Sequence, residues 1–199
     1  PSPDYPLWTA AVNLNRGRAV HYPCPPERGF IPNPEEIESL ITKRTRAIVV
    51  INPNNPTGAV YPRHILEAIA RIAEKYHLVV LADEIYDQMT YDGAEFVPMA
   101  TLVQHTLCGT LSGLSKVYRA CGYRVGWAAF SGDVEHSREY LSALELLSSL
   151  RLCSNVAGQW AVQTALGGYQ SIRELVTPGG RLYESRKAIV EAIGRSRFL

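Results

Sequence analysis

A chain of 199 residues is long enough for one domain, or a piece of a larger one, with a sizeable buried core. Its 46% apolar and 20% charged residues exclude disorder, and no apolar run approaches the roughly 20 residues of a membrane span. Twenty basic against 19 acidic side chains, net charge +1, give no electrostatic case for nucleic acid or an anionic membrane as partner.

In chain order, Pro1-Ser2-Pro3 carries no Met, no basic stretch and no apolar signal segment, which reads as an end cut from something longer. Asn33-Pro34-Glu35-Glu36 is a helix start, with Asn as N-cap, Pro at the first position and Glu at the third. Ile37, Leu40 and Ile41 supply its apolar face. Ala47 to Ile51 is a continuous run rich in β-branched residues, expected for a strand covered on both sides. Pro62 opens a helix with Ile65, Ile69, Ile72, Ala73 and Tyr76 on one face, and Leu78 to Ala82 is a second buried strand. Thr106 to Leu111 and Val125 to Phe130 are further strands. Beyond Asp133 the pattern turns helical: Val134 to Leu150, Val156 to Leu166, and a last helix from about Arg181.

Strands separated by helices argue for an α/β fold, a mostly parallel sheet with flanking helices. The sheet-containing part is expected over about 1–132 and a helical part over 133–199. Cys24, Cys108, Cys121 and Cys153 form no CxxC pair, and neither they nor His21, His64, His77, His105 and His136 have zinc-ligand spacing. No metal is expected, and a reduced, cytoplasmic setting fits better than a disulfide framework.

Ligands of open α/β sheets bind beyond the carboxyl ends of the strands, so the residues after each strand matter most. Asn52 to Gly58 (NPNNPTG) ends the first strand with amides that donate and accept hydrogen bonds; a plain turn explains it equally well. The second strand ends in Asp83-Glu84-Ile85-Tyr86, an acid beside a phenol, for which a helix cap is the alternative. The third leads to Ser112-Gly113-Leu114-Ser115-Lys116, with Arg124 eight residues on. A lysine desolvated beside an apolar strand becomes a nucleophilic amine; a solvated loop lysine is the alternative. There is no GxSxG, no GxxxxGK[ST] and no GxGxxG, which disfavours serine hydrolase, P-loop NTPase and dinucleotide dehydrogenase chemistry. An amide, a carboxylate with a phenol, and a lysine followed by an arginine suit an aldehyde cofactor such as pyridoxal phosphate. That cofactor needs a Schiff-base lysine, an acid for its pyridine nitrogen, and donors for its phenolate and phosphate.

Three motifs, NPNNPTG at Asn52 to Gly58, ADEIY at Ala82 to Tyr86 and LSKVYRACGYRVGW at Leu114 to Trp127, occur in order and with matching spacing. With them the chain resembles the class I/II aminotransferases, pyridoxal-phosphate enzymes of fold type I. The whole chain looks like the central part of such an enzyme, including PDYPLW at Pro3 to Trp8, and it most resembles the bacterial alanine–pyruvate transaminases, through ALGGYQSI at Ala165 to Ile172 and TPGGRLYE at Thr177 to Glu184. The resemblance implies the large, cofactor-binding domain of such an enzyme, truncated at both ends. It implies Lys116 as the Schiff-base lysine and proton shuttle, Asp83 on the pyridinium nitrogen, Asn55 and Tyr86 on the phenolate oxygen, and Arg124 on the phosphate. Tyr5 would stack on the ring, and Ser115 is a candidate phosphate ligand. It also implies a homodimer with amino-acid and 2-oxo-acid substrates. Leu141, Leu144 and Leu147 of the long helix are candidate contacts with the second copy, an ordinary core face being the alternative.

The sequence departs from the family pattern in two places. Many relatives have Ser three residues before the lysine, where this chain has Gly113, so that phosphate contact passes to Ser112 or Ser115 or is lost. Aspartate-type enzymes carry Arg four residues before a Ser-Asn pair; here Ser154-Asn155 has Leu150 at that place, with Arg151 about 100° around a helix. This favours a monocarboxylic substrate such as alanine. The alternatives are an aspartate or aromatic aminotransferase, a lyase on the same scaffold, an aminotransferase-like ligand-sensing domain of a transcription regulator, and a fragment without function of its own. By the resemblance, the 199 residues lack an N-terminal phosphate-binding loop and a C-terminal domain whose Arg clamps the substrate carboxylate. They are therefore expected to be poorly active alone.

Overall fold

Parallel pairing of three apolar strands organises the chain. The structure, a computed structural model, describes residues 1–196. β1 (Ala47–Ile51), β2 (Val79–Asp83) and β3 (Leu107–Gly113) are parallel, and β4 (Gly126–Gly132) lies antiparallel beside β3, in the order β1-β2-β3-β4. This is the mostly parallel α/β sheet that the alternation of strands and helices predicts. The helices are α1 (Pro6–Leu14), α2 (Pro34–Ser39), α3 (Arg63–Lys75), α4 (Arg138–Arg151), α5 (Val156–Gly167), α6 (Ile172–Val176) and α7 (Arg181–Gly194).

Local chemistry accounts for most boundaries. The Asn33 side chain accepts the Glu35 N–H at 3.0 Å and Pro34 takes the first helical position, so α2 starts where the motif predicts. It stops at Ser39, which leaves Ile37 buried and Leu40 exposed. α3 buries Leu66, Ile69, Ala70 and Ala73 at i, i+3, i+4, i+7 spacing. Its end is a Schellman turn: His77 adopts φ 50, its N–H bonds Glu74 O at 3.2 Å, and the Leu78 N–H bonds Ala73 O at 2.8 Å. β2 begins at the next residue, Val79. The Glu74 carboxylate also accepts the N–H groups of Gln104 and His105, at 2.7 and 2.9 Å, and so ties the approach to β3 to the same helix end.

The core lies on the face that α3 covers. Ile48, Val50, Val80 and Ala82 pack there with Leu66, Ile69, Ala73, Met99 and Val103. β2 alternates half-buried and buried residues, whereas in β1 Ala47 is exposed, Val49 half-buried and Ile48, Val50 and Ile51 buried. Among the described residues, the two-sided cover expected for the Ala47 to Ile51 run is met on the second face only at its carboxyl end, by Ile51.

Two further expectations are corrected. The helix expected from Val134 starts at Arg138, because the Asp133 carboxylate accepts the His136 N–H at 3.2 Å and the Val134 N–H bonds back to Gly132 O, closing a turn first. α1 forms where the apolar pattern marked no element; Pro6 opens it and none of its residues is buried. α4 likewise has no buried residue, so its leucines are not an ordinary core face: Leu141 and Leu144 are half-buried and Leu147 is exposed.

Leu66 is fully enclosed between α3 and the sheet. Leu66→Ala is expected to cost about 3 kcal/mol, measured by denaturant unfolding, through lost burial and the cavity left behind.

Candidate active site

The three parallel strands end together. The Asn52 N–H bonds Asp83 O at 3.1 Å and the Glu84 N–H bonds Leu111 O at 3.0 Å, so the ladder continues one residue past β1 and β2. The loops carrying Asn55, Asp83 with Tyr86, and Lys116 therefore leave the same edge of the sheet side by side.

Asp83 is the last residue of β2 and is half-buried. Trp8 of α1 donates its indole N–H to Asp83 Oδ2 at 3.0 Å, and the Ile85 N–H lies 3.4 Å from Oδ1. Turns follow, with Asp87 N–H on Glu84 O and Met89 N–H on Tyr86 O. Asp83 thus caps no helix, which removes the structural alternative for this acid.

Past β3, Leu114 and Val117 are buried and hold the turn between them, so that Lys116 faces outward. Val117 packs on Ile172 and Val176 of α6. The Lys116 Nζ stands 5.6 Å from the centroid of the Tyr86 ring, a cation–π distance, and makes no ion pair among the described residues. The desolvated lysine considered from the sequence is not found; Lys116 is exposed because the turn carries it beyond the strand end.

The asparagine loop divides its work. Asn52 is 1% exposed and accepts the Tyr61 N–H at 2.8 Å, while Asn54 accepts the Thr57 N–H and hydroxyl at 3.2 and 2.8 Å. Those two hold the loop's shape. Asn55 is half-buried and its side chain has no hydrogen bond among the described residues.

Arg124 is exposed in the left-handed region (φ 52), and one Nη donates to Cys121 O at 2.8 Å. The Leu114 N–H bonds Val125 O at 3.1 Å, so Lys116 and Arg124 flank one rung of the β3–β4 pair. Tyr5, 42% exposed, is the N-cap of α1, one turn before Trp8. Ser115 is half-buried, with no side-chain hydrogen bond among the described residues. The structure thus brings Lys116 to Tyr86. It sets Asn55, Ser115, Arg124 and Tyr5 on surrounding segments, with no hydrogen bond, ion pair or ring contact to that pair among the described residues.

Gly113 pairs with Gly126 across β3 and β4. A Cβ at Gly113 would stand 2.8 Å from Val125 O and 3.0 Å from Gly126 Cα, so the backbones meet too closely for a side chain there. Asn155 of the Ser154-Asn155 pair is occupied structurally: it caps α5 by accepting the Gly158 N–H at 2.9 Å and donates to Tyr123 O at 3.2 Å.

Two residues inside these motifs make contacts that their sequence positions do not announce. Trp8 closes PDYPLW, and Glu84 follows Asp83. Glu84 is 5% exposed, and its carboxylate accepts the Met99 N–H at 2.8 Å. Burial pushes its carboxyl up to about 7, opposed by the Met99 bond and reinforced by Asp87 and Asp83. Burial also raises Asp87, and it lifts the Cys108 thiol to about 11 with the Glu84 charge adding to the effect. Among the described residues no group of three or more His, Cys, Asp or Glu could hold a metal ion, and no helix is long and apolar enough to cross a membrane.

The family model for aminotransferase class I and II matches residues 1–198. The chain belongs to this family. It is 53% identical over 193 residues to glutamate-pyruvate aminotransferase AlaA of Escherichia coli (strain K12), covering 97% of this chain and 48% of that protein. It is 53% identical over 186 residues to the alanine aminotransferase of Mycobacterium tuberculosis (strain ATCC 25618 / H37Rv), covering 94% and 43%. Among solved structures, an aminotransferase from Escherichia coli superposes with a TM-score of 0.96 at 52% identity, covering 99% of this chain and 49% of that one. The chain spans about half the length of the curated relatives it matches. Class I and II aminotransferases are generally pyridoxal-phosphate enzymes acting on amino and 2-oxo acids, and are generally dimeric.

Gly113→Ser is expected to lower stability by about 1–3 kcal/mol in denaturant unfolding, because neither backbone at the β3–β4 crossing can give way cheaply. Glu84 carries a pH signature. Its folded-state carboxyl titrates near 7, above the ordinary value, so the folded chain holds a proton that the unfolded chain has released. Its contribution to stability falls as pH rises from about 4.5 to about 7. Glu84→Gln keeps an oxygen for the Met99 N–H and is expected to remove that fall, gaining on the parent by on the order of 2 kcal/mol at pH 8 in paired unfolding curves.

Proposed function

We propose that this chain forms the cofactor-bearing part of a pyridoxal-phosphate-dependent transaminase that moves an amino group between alanine and a 2-oxo acid, pyruvate or 2-oxoglutarate. The observation that carries the reading is the Lys116 amine poised over Tyr86 beside the strand that ends in Asp83. The donor set fits the cofactor. Asp83 retains acceptor capacity beyond its bonds from the Trp8 indole and the Ile85 N–H, and the Lys116 amine makes no ion pair or hydrogen bond among the described residues. Asn55 offers a free amide, and Arg124 leaves most of its guanidinium fork open. An acceptor for a ring N–H, an amine for an aldehyde, donors for a phenolate and a cation for a phosphate are each present.

When bound, pyridoxal phosphate supplies the electron sink that makes the amino acid's Cα–H acidic. In this reading Lys116 holds the cofactor through its amine and then moves the proton at the substrate's Cα. Asp83 binds the ring nitrogen and keeps it protonated, Asn55 and Tyr86 hydrogen-bond the phenolic oxygen, Arg124 and Ser115 bind the phosphate, and Tyr5 stacks on the ring. Alanine as the amino acid rests on the names of the 53% identical relatives and on Leu150 standing where an aspartate-type enzyme carries Arg.

The domain assignment belongs to the same reading. All four strands precede residue 133 and α4 to α7 follow it, which supports a cofactor-binding part over about 1–132 and a helical part beyond. We further infer a homodimer, supported by the exposed Leu146, Leu147, Leu150 and Trp160 of α4 and α5, and a cytoplasmic setting, supported by four free cysteines.

Incubation of the chain with pyridoxal phosphate, borohydride reduction and peptide mass mapping test the reading. The expected result is a pyridoxyl adduct confined to Lys116, abolished by Lys116→Ala and weakened about tenfold by Asp83→Asn. Adducts scattered over exposed lysines, or none, would overturn it.

A further inference from the structure

The Trp8 indole N–H reaches Asp83 Oδ2 across 75 positions of sequence, and the family reading assigns it no part. α1 has no buried residue with which to anchor itself in the core. Its surroundings are tied at the periphery, by Thr9 Oγ1 and His21 Nε2 at 2.9 Å on the surface and by the Cys24 N–H on Ser2 O at 2.9 Å. Among the described residues, the Trp8–Asp83 bond is the hydrogen bond that joins α1 to a strand.

Its chemistry is directional. Indole donates and does not accept, so Trp8 can bond only an acceptor oxygen, and a hydrogen bond to a carboxylate is worth more than a neutral pair. The terminal torsion of an aspartate is otherwise broad. The Trp8 N–H on Oδ2, with the Ile85 N–H near Oδ1, sets the plane of this carboxylate while leaving lone pairs free. We propose that Trp8 is a positioning residue that aims the Asp83 carboxylate at the ring nitrogen of the cofactor. This rests on the pyridoxal-phosphate reading above. The backbone N–H of Trp8, distinct from its indole, bonds Tyr5 O at 3.2 Å and so ties Tyr5 to the residue that meets Asp83.

The test compares dissociation constants of the full chain for pyridoxal phosphate and for its 1-deaza analogue, in which a CH replaces the ring nitrogen. The unsubstituted chain is expected to prefer pyridoxal phosphate. Trp8→Phe, which keeps an aromatic ring and removes the donor, should narrow that preference by at least about tenfold while leaving affinity for the analogue within about twofold. Trp8→His, which restores a ring N–H, should recover much of the preference, and thermal unfolding shows which variants are folded. An unchanged preference in Trp8→Phe would overturn the proposal. So would a parallel loss of both affinities, the mark of a role in anchoring α1 alone. Equal affinity of the unsubstituted chain for both compounds, with the Lys116 adduct still forming, would remove the Asp83 contact and this proposal with it. Absence of a selective Lys116 adduct would instead remove the pyridoxal-phosphate reading on which it stands.

Discussion

Three parallel strands that end at one level constrain everything else in this molecule. A parallel pair cannot be joined by a tight turn, so each connection must climb back along the sheet and deliver its chemistry at the carboxyl end. The bonds from Asn52 to Asp83 and from Glu84 to Leu111 carry the pairing past the strand ends. Asp83 and Lys116 are thereby delivered to neighbouring strand ends, although 32 other residues separate them in sequence. Lys116 remains open to solvent, while Leu114 and Val117 on either side of it are buried.

The antiparallel partner adds a second constraint. β4 can return close beside β3 because Gly113 and Gly126 face each other without side chains. The return of the chain puts Arg124 beside the lysine turn. α5 then packs against that return: Asn155 bonds Tyr123 O, and Gly158 lies so close to Val125 that a Cβ there would stand 2.1 Å from its methyl. α6 supports the other side through Val117. α5 and α6 therefore act as buttresses of the segments that carry Lys116 and Arg124.

Much of this was legible in the chain itself. The strands announce themselves as short apolar runs ended by Pro, Asp or Gly, and α2 and α3 by a cap and a one-sided stripe, because such signals lie within a few residues of one another. α1 was silent since its tie to the fold is one polar bond to a residue 75 positions away. Gly113 looked like a missing serine for a similar reason: the atoms that exclude a side chain belong to Val125 and Gly126 across the hairpin. The apolar run of β1 points to two covered faces; among the described residues α3 seals one, and the other closes only at Ile51. Asn52, Asn54 and Asn55 are indistinguishable as types, and burial separates the two that shape the loop from the one whose side chain makes no hydrogen bond among the described residues.

The Schellman ending of α3 leaves no slack between helix and strand, for β2 starts two residues after the left-handed His77. A residue inserted into α3 would turn everything after it by about 100° around the helix axis. The break could be absorbed by unwinding the helix end, at the expense of the Glu74 clamp on Gln104 and His105. Otherwise it would pass into β2 as a one-step slip, exchanging the two faces of the strand. The Asp83 carboxylate would then leave the side on which Trp8 meets it, and Glu84 would come out of the core. Insertions and deletions between Arg63 and Asp83 are for that reason far more damaging than most substitutions there, and the length of this stretch places Asp83 as surely as the strand pairing does.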